Sequence, residues 1–205
     1  MAPLAGVPTP ADDNLLDMDN LLAMQFFHLH TAHKMVLQPK RILVWRRVIP
    51  DLAERHRFLM HLLLALGGIH MITVRMGQRP SEEDDYLHTV DLRVVMDHHQ
   101  RGLQGFREEL AKISDSNAEA VYSGSLLLVG FIYAFLQVSE LNPPASTASP
   151  PVGRSVPASN QRTPTIFGRP ELSWMHLIRG VTTVIRDQWP ALKASRMRPM
   201  VLHFH

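Results

Sequence analysis

The most constraining feature of this chain is the apolar run over residues 58–76, FLMHLLLALGGIHMITVRM. Apolar residues lie on nearly every face of a helix drawn through it, so such a helix must be central in its fold. A membrane span is the competing reading. The run is interrupted by His61, Gly67-Gly68, His70 and Arg75, and its unbroken part is shorter than a bilayer requires. The sequence therefore predicts a buried core helix and no membrane span. Gly67-Gly68 costs roughly 1 kcal/mol of helix propensity per glycine. Close approach of a neighbouring helix offsets that cost, with a kink as the alternative.

Around this helix the periodicity predicts four more long or medium helices and no strand. The first covers 14–37, capped by Asp12 or Asp13, with Leu15, Leu22, Phe26 and Leu29 as its apolar face. A short piece over 42–49 carries Trp45 and stops at Pro50. Ser81, with Asp84 three residues on, reads as a capping box opening a helix to 113. Its apolar face is Tyr86 or Leu87, Val90, Val94, Leu103, Phe106 and Leu110, and Gly102 and Gly105 weaken it locally. Ser116 and Glu119 read as a second capping box, opening an all-round apolar helix to 136. The last periodic segment, over 172–189, ends at Trp189-Pro190.

Between the last two helices the composition changes. Pro143, Pro144, Pro150, Pro151, Pro157, Pro164 and Pro170 stand among Ser and Thr, and neither helix nor strand persists through missing donors at that spacing. The predicted organisation is a disordered N-terminus (1–12), a helical unit (13–138), a flexible Pro/Ser/Thr-rich linker or insertion (139–171) and a helical continuation (172–205). That continuation breaks off as a new apolar stretch begins near Met197, so the chain reads as cut short there. The fold class is all-α, a multi-helix bundle-like domain.

Several chemistries are excluded by composition. There is no cysteine, so disulfides, thiolate zinc sites and Cys nucleophiles are absent. Lys plus Arg number 21 against 19 Asp plus Glu, a net +2 with no long like-charge run, which is no electrostatic footprint for DNA. The twelve histidines are the remaining candidates. His28, His30 and His33 cluster, but a zinc site needs three or four convergent ligands and no H-E-x-x-H occurs. His61, His70 and His98-His99 have no Ser or Asp partner in any nucleophile motif, so no catalytic or metal residue is assigned. Lys40-Arg41 and Arg46-Arg47 flank Trp45 and read as a solvated turn whose stems cover apolar surface. Eleven methionines suit an adaptable core or an apolar cavity equally.

Taken in order, several strings resemble one family: MDNLLAMQFFHLHTA (18–32), VWRRVIPDLA (44–53), HRFLMHLLLALGGIH (56–70), YLHTVD (86–91), HHQRGLQGFR (98–107), NAEAVYSGSLLLV (117–129) and WMHLIRGV (174–181). They are similar to the regulatory domain of fungal zinc-binuclear-cluster transcription factors, in the branch of the sterol-uptake control proteins. The resemblance implies an all-helical, non-catalytic nuclear regulator without a cofactor, shuttling with the cytoplasm, whose apolar pocket takes a sterol-like ligand. Apolar surface left exposed where the helical continuation breaks off would favour homo- or hetero-oligomers. The family's DNA contact is a six-cysteine zinc cluster, so this cysteine-free chain binds no DNA directly. The resemblance names no ligand-contacting residue. The alternative reading is a stand-alone helical protein that lost DNA binding and acts as co-regulator or competitor by dimerisation.

Overall fold

A computed structural model describes residues 17–36, 38–77, 90–141, 179–183 and 186–202, and all are helical or in helix-connecting turns, with no strand among them. Helix α1 (Met18–Phe26) begins at Asp17, whose carboxylate accepts from the Met18 amide at 2.7 Å. The predicted caps Asp12 and Asp13 lie outside the described residues. A π-helical turn over Phe27–Thr31 then leads into α2 (Ala32–Lys34), with the Ala32 amide bonded to the Phe27 carbonyl five residues back. One extra residue in a turn rotates everything after it. Phe27, Thr31 and Ala32 therefore point into the core, while Leu29, predicted to be on the apolar face, is 55% exposed.

The same device corrects the reading of Pro50. Helix α3 (Pro39–Leu43) passes through a second π turn (Val44–Val48) into α4 (Ile49–Arg55), with Pro50 in the first turn of α4. Proline has no amide to donate and its ring would crowd the carbonyl four residues earlier; the widened turn just before it removes that conflict. Pro50 thus continues the helical path, and Trp45 and Ile49 are buried on its inner side. The path breaks at His56, whose extended backbone turns the chain into α5 (Arg57–Gly77).

Helix α5 is the centre of the molecule and packs on α1, α4, α6 (Leu92–Ala111) and α7 (Ala118–Leu141). Two helices, Arg57–Gly77 and the Ala118–Val138 part of α7, are long and apolar enough to cross a membrane, but each is 61% buried inside the protein. Glycines account for how closely the helices cross. A methyl group added to Gly67 would run into the Ala23 carbonyl of α1, and one added to Gly68 would lie 2.6 Å from Val95 Cγ2 of α6. On α6, methyls at Gly102 and Gly105 would lie 2.6 Å from Leu62 Cδ2 and 2.7 Å from Phe58 Cβ. The close-approach reading of Gly67-Gly68 holds, and Gly102 and Gly105 are packing positions as well as weak helix formers.

Of the two predicted capping boxes, the one at Ser116 is replaced. Helix α6 starts at Asp91, whose carboxylate accepts from the Arg93 amide at 2.9 Å, and Ser81 and Asp84 lie outside the described residues. At the start of α7, Asn117 organises the turn: its Oδ1 accepts from the Ser114 amide and its Nδ2 donates to Glu109 of α6. Ser116 is exposed, and Glu119 reaches to Arg196 instead. Helix α7 extends to Leu141, and the proline-rich stretch beyond it lies outside the described residues. Pro190, expected to end the last segment, sits in the first turn of α8 (Trp189–Ala194). That helix and α9 (Arg198–Val201) cap the bundle with Leu192, Met197 and Val201, none measurably exposed.

Candidate ligand-binding site

The most informative cavity lies between the α1–α2 segment, α5 and α7, with a volume of about 410 Å³. The π turn and α2 contribute Thr31, Lys34 and Met35; α5 contributes Leu66 and His70; α7 contributes Val129, Gly130, Tyr133, Ala134 and Gln137. Gly130 keeps its wall open, since a methyl there would meet Met35 Cε at 2.7 Å. Tyr133 is 60% exposed and marks the mouth.

One polar pair stands in this wall. Thr31 Oγ1 and His70 Nδ1 are 2.9 Å apart, and Phe26 packs edge-on against the His70 ring. Burial, with Lys34 and His30 nearby, pushes the His70 pKa down to about 4, so its imidazole is neutral near pH 7. A hydroxyl bonded to a neutral imidazole always leaves one donor and one acceptor over. If Thr31 donates, its lone pairs and the His70 Nε2–H remain; in the other tautomer, the Thr31 hydroxyl proton and the Nε2 lone pair remain. In either case the pair suits a ligand hydroxyl, which both donates and accepts.

Among the described residues, His61, His98 and His99 serve the packing. His61 Nδ1 and His98 Nδ1 are 2.8 Å apart, and His98 Nε2 lies 2.8 Å from Asn20 Oδ1, so α5, α6 and α1 are joined by a buried polar chain. His99 stacks on Phe131 with ring centroids 4.0 Å apart, and burial lowers its pKa to about 4. In the 28–33 cluster, His28 is half-buried, its pKa lowered by burial and by Arg46, His30 packs on Phe26, and His33 is exposed. No group of three His, Asp or Glu side chains converges for a metal among the described residues. Sequence reasoning did not single out Thr31 or Asn20. The signal available for both was the presence of His61 and His70 within an apolar helix, since buried polar groups require partners.

Residues 21–204 match the profile of the fungal specific transcription factor domain. The chain belongs to that family. Membership places it in the transcription-regulatory class, as the ordered strings of the sequence implied. Among relatives of this family domain, Sterol uptake control protein 2 of Saccharomyces cerevisiae is 25% identical over 190 residues, which cover 89% of this chain and 17% of that protein. Sterol uptake control protein 2 of Candida albicans is 28% identical over 153 residues, 75% of this chain and 17% of its own length. The chain thus spans about a sixth of the relatives it matches. No solved structure matches it.

Proposed function

We propose that this chain is a non-catalytic regulatory domain of a nuclear transcription factor, and that it senses an apolar ligand bearing a hydroxyl group in the pocket between α2, α5 and α7. The relatives' printed names make a sterol the leading chemical class. The observation that carries the reading is the Thr31–His70 pair: a neutral, partly buried donor–acceptor couple in a cavity otherwise walled largely by Met35, Leu66, Val129 and Ala134. A cavity of this size, apolar with a few placed polar groups, is the ordinary form of a small-molecule site.

The test is thermal unfolding and equilibrium binding with ergosterol, a hydroxyl-bearing sterol. Binding to the native state alone raises the melting temperature in proportion to ligand excess over Kd. Thr31→Val is expected to weaken binding roughly tenfold, the value of one hydrogen bond to a polar ligand group. A sterol whose hydroxyl is esterified is expected to bind as weakly to the unsubstituted protein. If the ester and the free sterol bind equally, the site is not what is proposed.

A second reading rests on a separate observation. Met18 and Leu21 of α1 and Leu29 of the π turn that follows it are each more than half exposed. Such a run favours self-association, and a co-regulator acting by dimerisation would use it. Sedimentation velocity across protein concentrations decides: a concentration-dependent dimer lost in Leu21→Glu supports this reading, and a monomer throughout removes it.

A further inference from the structure

A second cavity lies on another part of the surface and shares no wall residue with the Thr31–His70 pocket. It is the larger of the two, about 650 Å³, and opens between α3 and α9. Its titratable wall residues are all cations: Lys40 and Arg41 from α3, and Arg198 from α9. Its apolar floor is Pro39, Pro199 and Leu202.

Several cations elsewhere on the molecule are neutralised by carboxylates. Arg196 is bound to Asp51 and Glu119, Arg101 to Asp97, and Lys112 to Glu109. Among the described residues, Lys40, Arg41 and Arg198 have no carboxylate within ion-pair distance, and none lines the cavity. Arg41 is also held in place. Its Nε–H donates to the Pro199 carbonyl at 3.2 Å across the cleft, which joins α3 to α9 and fixes the plane of the guanidinium. The terminal nitrogens of that fork keep the geometry that suits two oxygens of one anion.

Three unneutralised cations over an apolar floor suit a molecule with an anionic head and an apolar body. We propose that the cleft between α3 and α9 binds an amphipathic small-molecule anion: an apolar chain ending in a carboxylate, with the head on Arg41, Arg198 and Lys40 and the chain on Pro39, Pro199 and Leu202.

The experiment is titration calorimetry on the full chain with dodecanoate below its micellar range. Dodecanol, inorganic phosphate and phosphatidylserine vesicles are run in parallel, together with Lys40→Gln/Arg198→Gln, which leaves the Arg41–Pro199 bond in place. The expected result is one dodecanoate per chain, bound at least tenfold more tightly than dodecanol, no binding of phosphate alone at the same concentration, and at least a tenfold loss in the double variant. Equal affinity for dodecanol and dodecanoate overturns the proposal, because the cations then contribute nothing. Vesicle binding without dodecanoate binding overturns it in favour of a membrane surface, and phosphate binding of equal strength in favour of a bare anion site. A loss of dodecanoate binding in Thr31→Val, with the double variant unaffected, places the ligand in the other pocket and also overturns it.

Discussion

His61 and His98 meet nitrogen to nitrogen, Nδ1 to Nδ1, at 2.8 Å inside the bundle. With Asn20 Oδ1 accepting from His98 Nε2–H, a neutral His98 presents its Nδ1 lone pair and His61 donates to it. The order of donors is thus set from α1 inward to α5.

Asn20→Leu removes the acceptor and leaves a buried N–H without its partner. The cost expected is about 1–3 kcal/mol of unfolding free energy, read by urea denaturation. His98→Phe removes a donor and an acceptor together and adds apolar volume beside His61. An unchanged urea midpoint for Asn20→Leu would show that the chain of hydrogen bonds is not part of the fold's stability.

Acid should destabilise the domain well above the carboxylate range. His70 and His99 both titrate near 4 in the folded protein, against an ordinary 6.5. The unfolded chain therefore takes up protons first: stability is full above about pH 6.5, falls as pH drops toward 4, and stops falling from this source below 4. For His99, stacked and only 6% exposed, the shift corresponds to about 3 kcal/mol. Denaturation at pH 7.5, 5.5 and 4.5 reads the slope, which His99→Gln should reduce. A flat profile over this range would contradict the burial argument.

Glycine substitutions should divide by place. Gly67→Ala and Gly102→Ala each force a methyl into a neighbouring helix and are expected to cost about 1–3 kcal/mol despite better helix propensity. Gly77→Ala has open space around it and should be neutral or slightly stabilising. Melting temperatures of the three variants measure this, and equal shifts in all three would mean that the crossings are looser than described.

The ion cluster over the C-terminal helices should matter less than its geometry suggests. Arg196 bonds Asp51 of α4 and Glu119 of α7, and its backbone amide donates to Glu119 at 2.7 Å. Asp51 is held below the usual carboxylate range, first by its hydrogen bond to Arg196. These side chains are solvated, so Arg196→Met is expected to lower the melting temperature only slightly, and less in high salt than in low. A loss as large at high salt as at low would assign the role to packing of the Arg196 stem.

The all-helical class and the central place of α5 were legible in the sequence because an all-round apolar helix can only be buried. The crossing at Gly67-Gly68 was legible because a residue that weakens a helix must be offset by something close to it, whereas Gly102 and Gly105 were read only as weak helix formers. The π turns were not. Nothing local to FHLHT or VWRRV marks an extra residue per turn, so Leu29 was placed inward in error and Pro50 was read as a stop; Pro190, also read as a stop, stands in the first turn of a helix that begins at Trp189. The cap of α7 was misread because Ser116 and Glu119 fit the pattern, while Asn117 is set by its tertiary contact with Glu109; Asp91 caps α6 by a local bond to the Arg93 amide, a signal that was present in the sequence. The pocket followed from Thr31, whose inward direction depends on the π turn, so periodicity alone could not have placed it there.

The glycine crossings have a consequence for how such a domain tolerates change. Where α5 meets α1 and α6, the spacing of the helix axes is set by main chain against main chain or against a single side chain, and there is no spare volume for drift at Gly67, Gly68, Gly102 or Gly105. Connecting segments can lengthen, shorten or change composition without altering those spacings. The bundle therefore behaves as a fixed frame, and functional divergence has to be written into what hangs on it: the walls of its clefts and the loops between its helices.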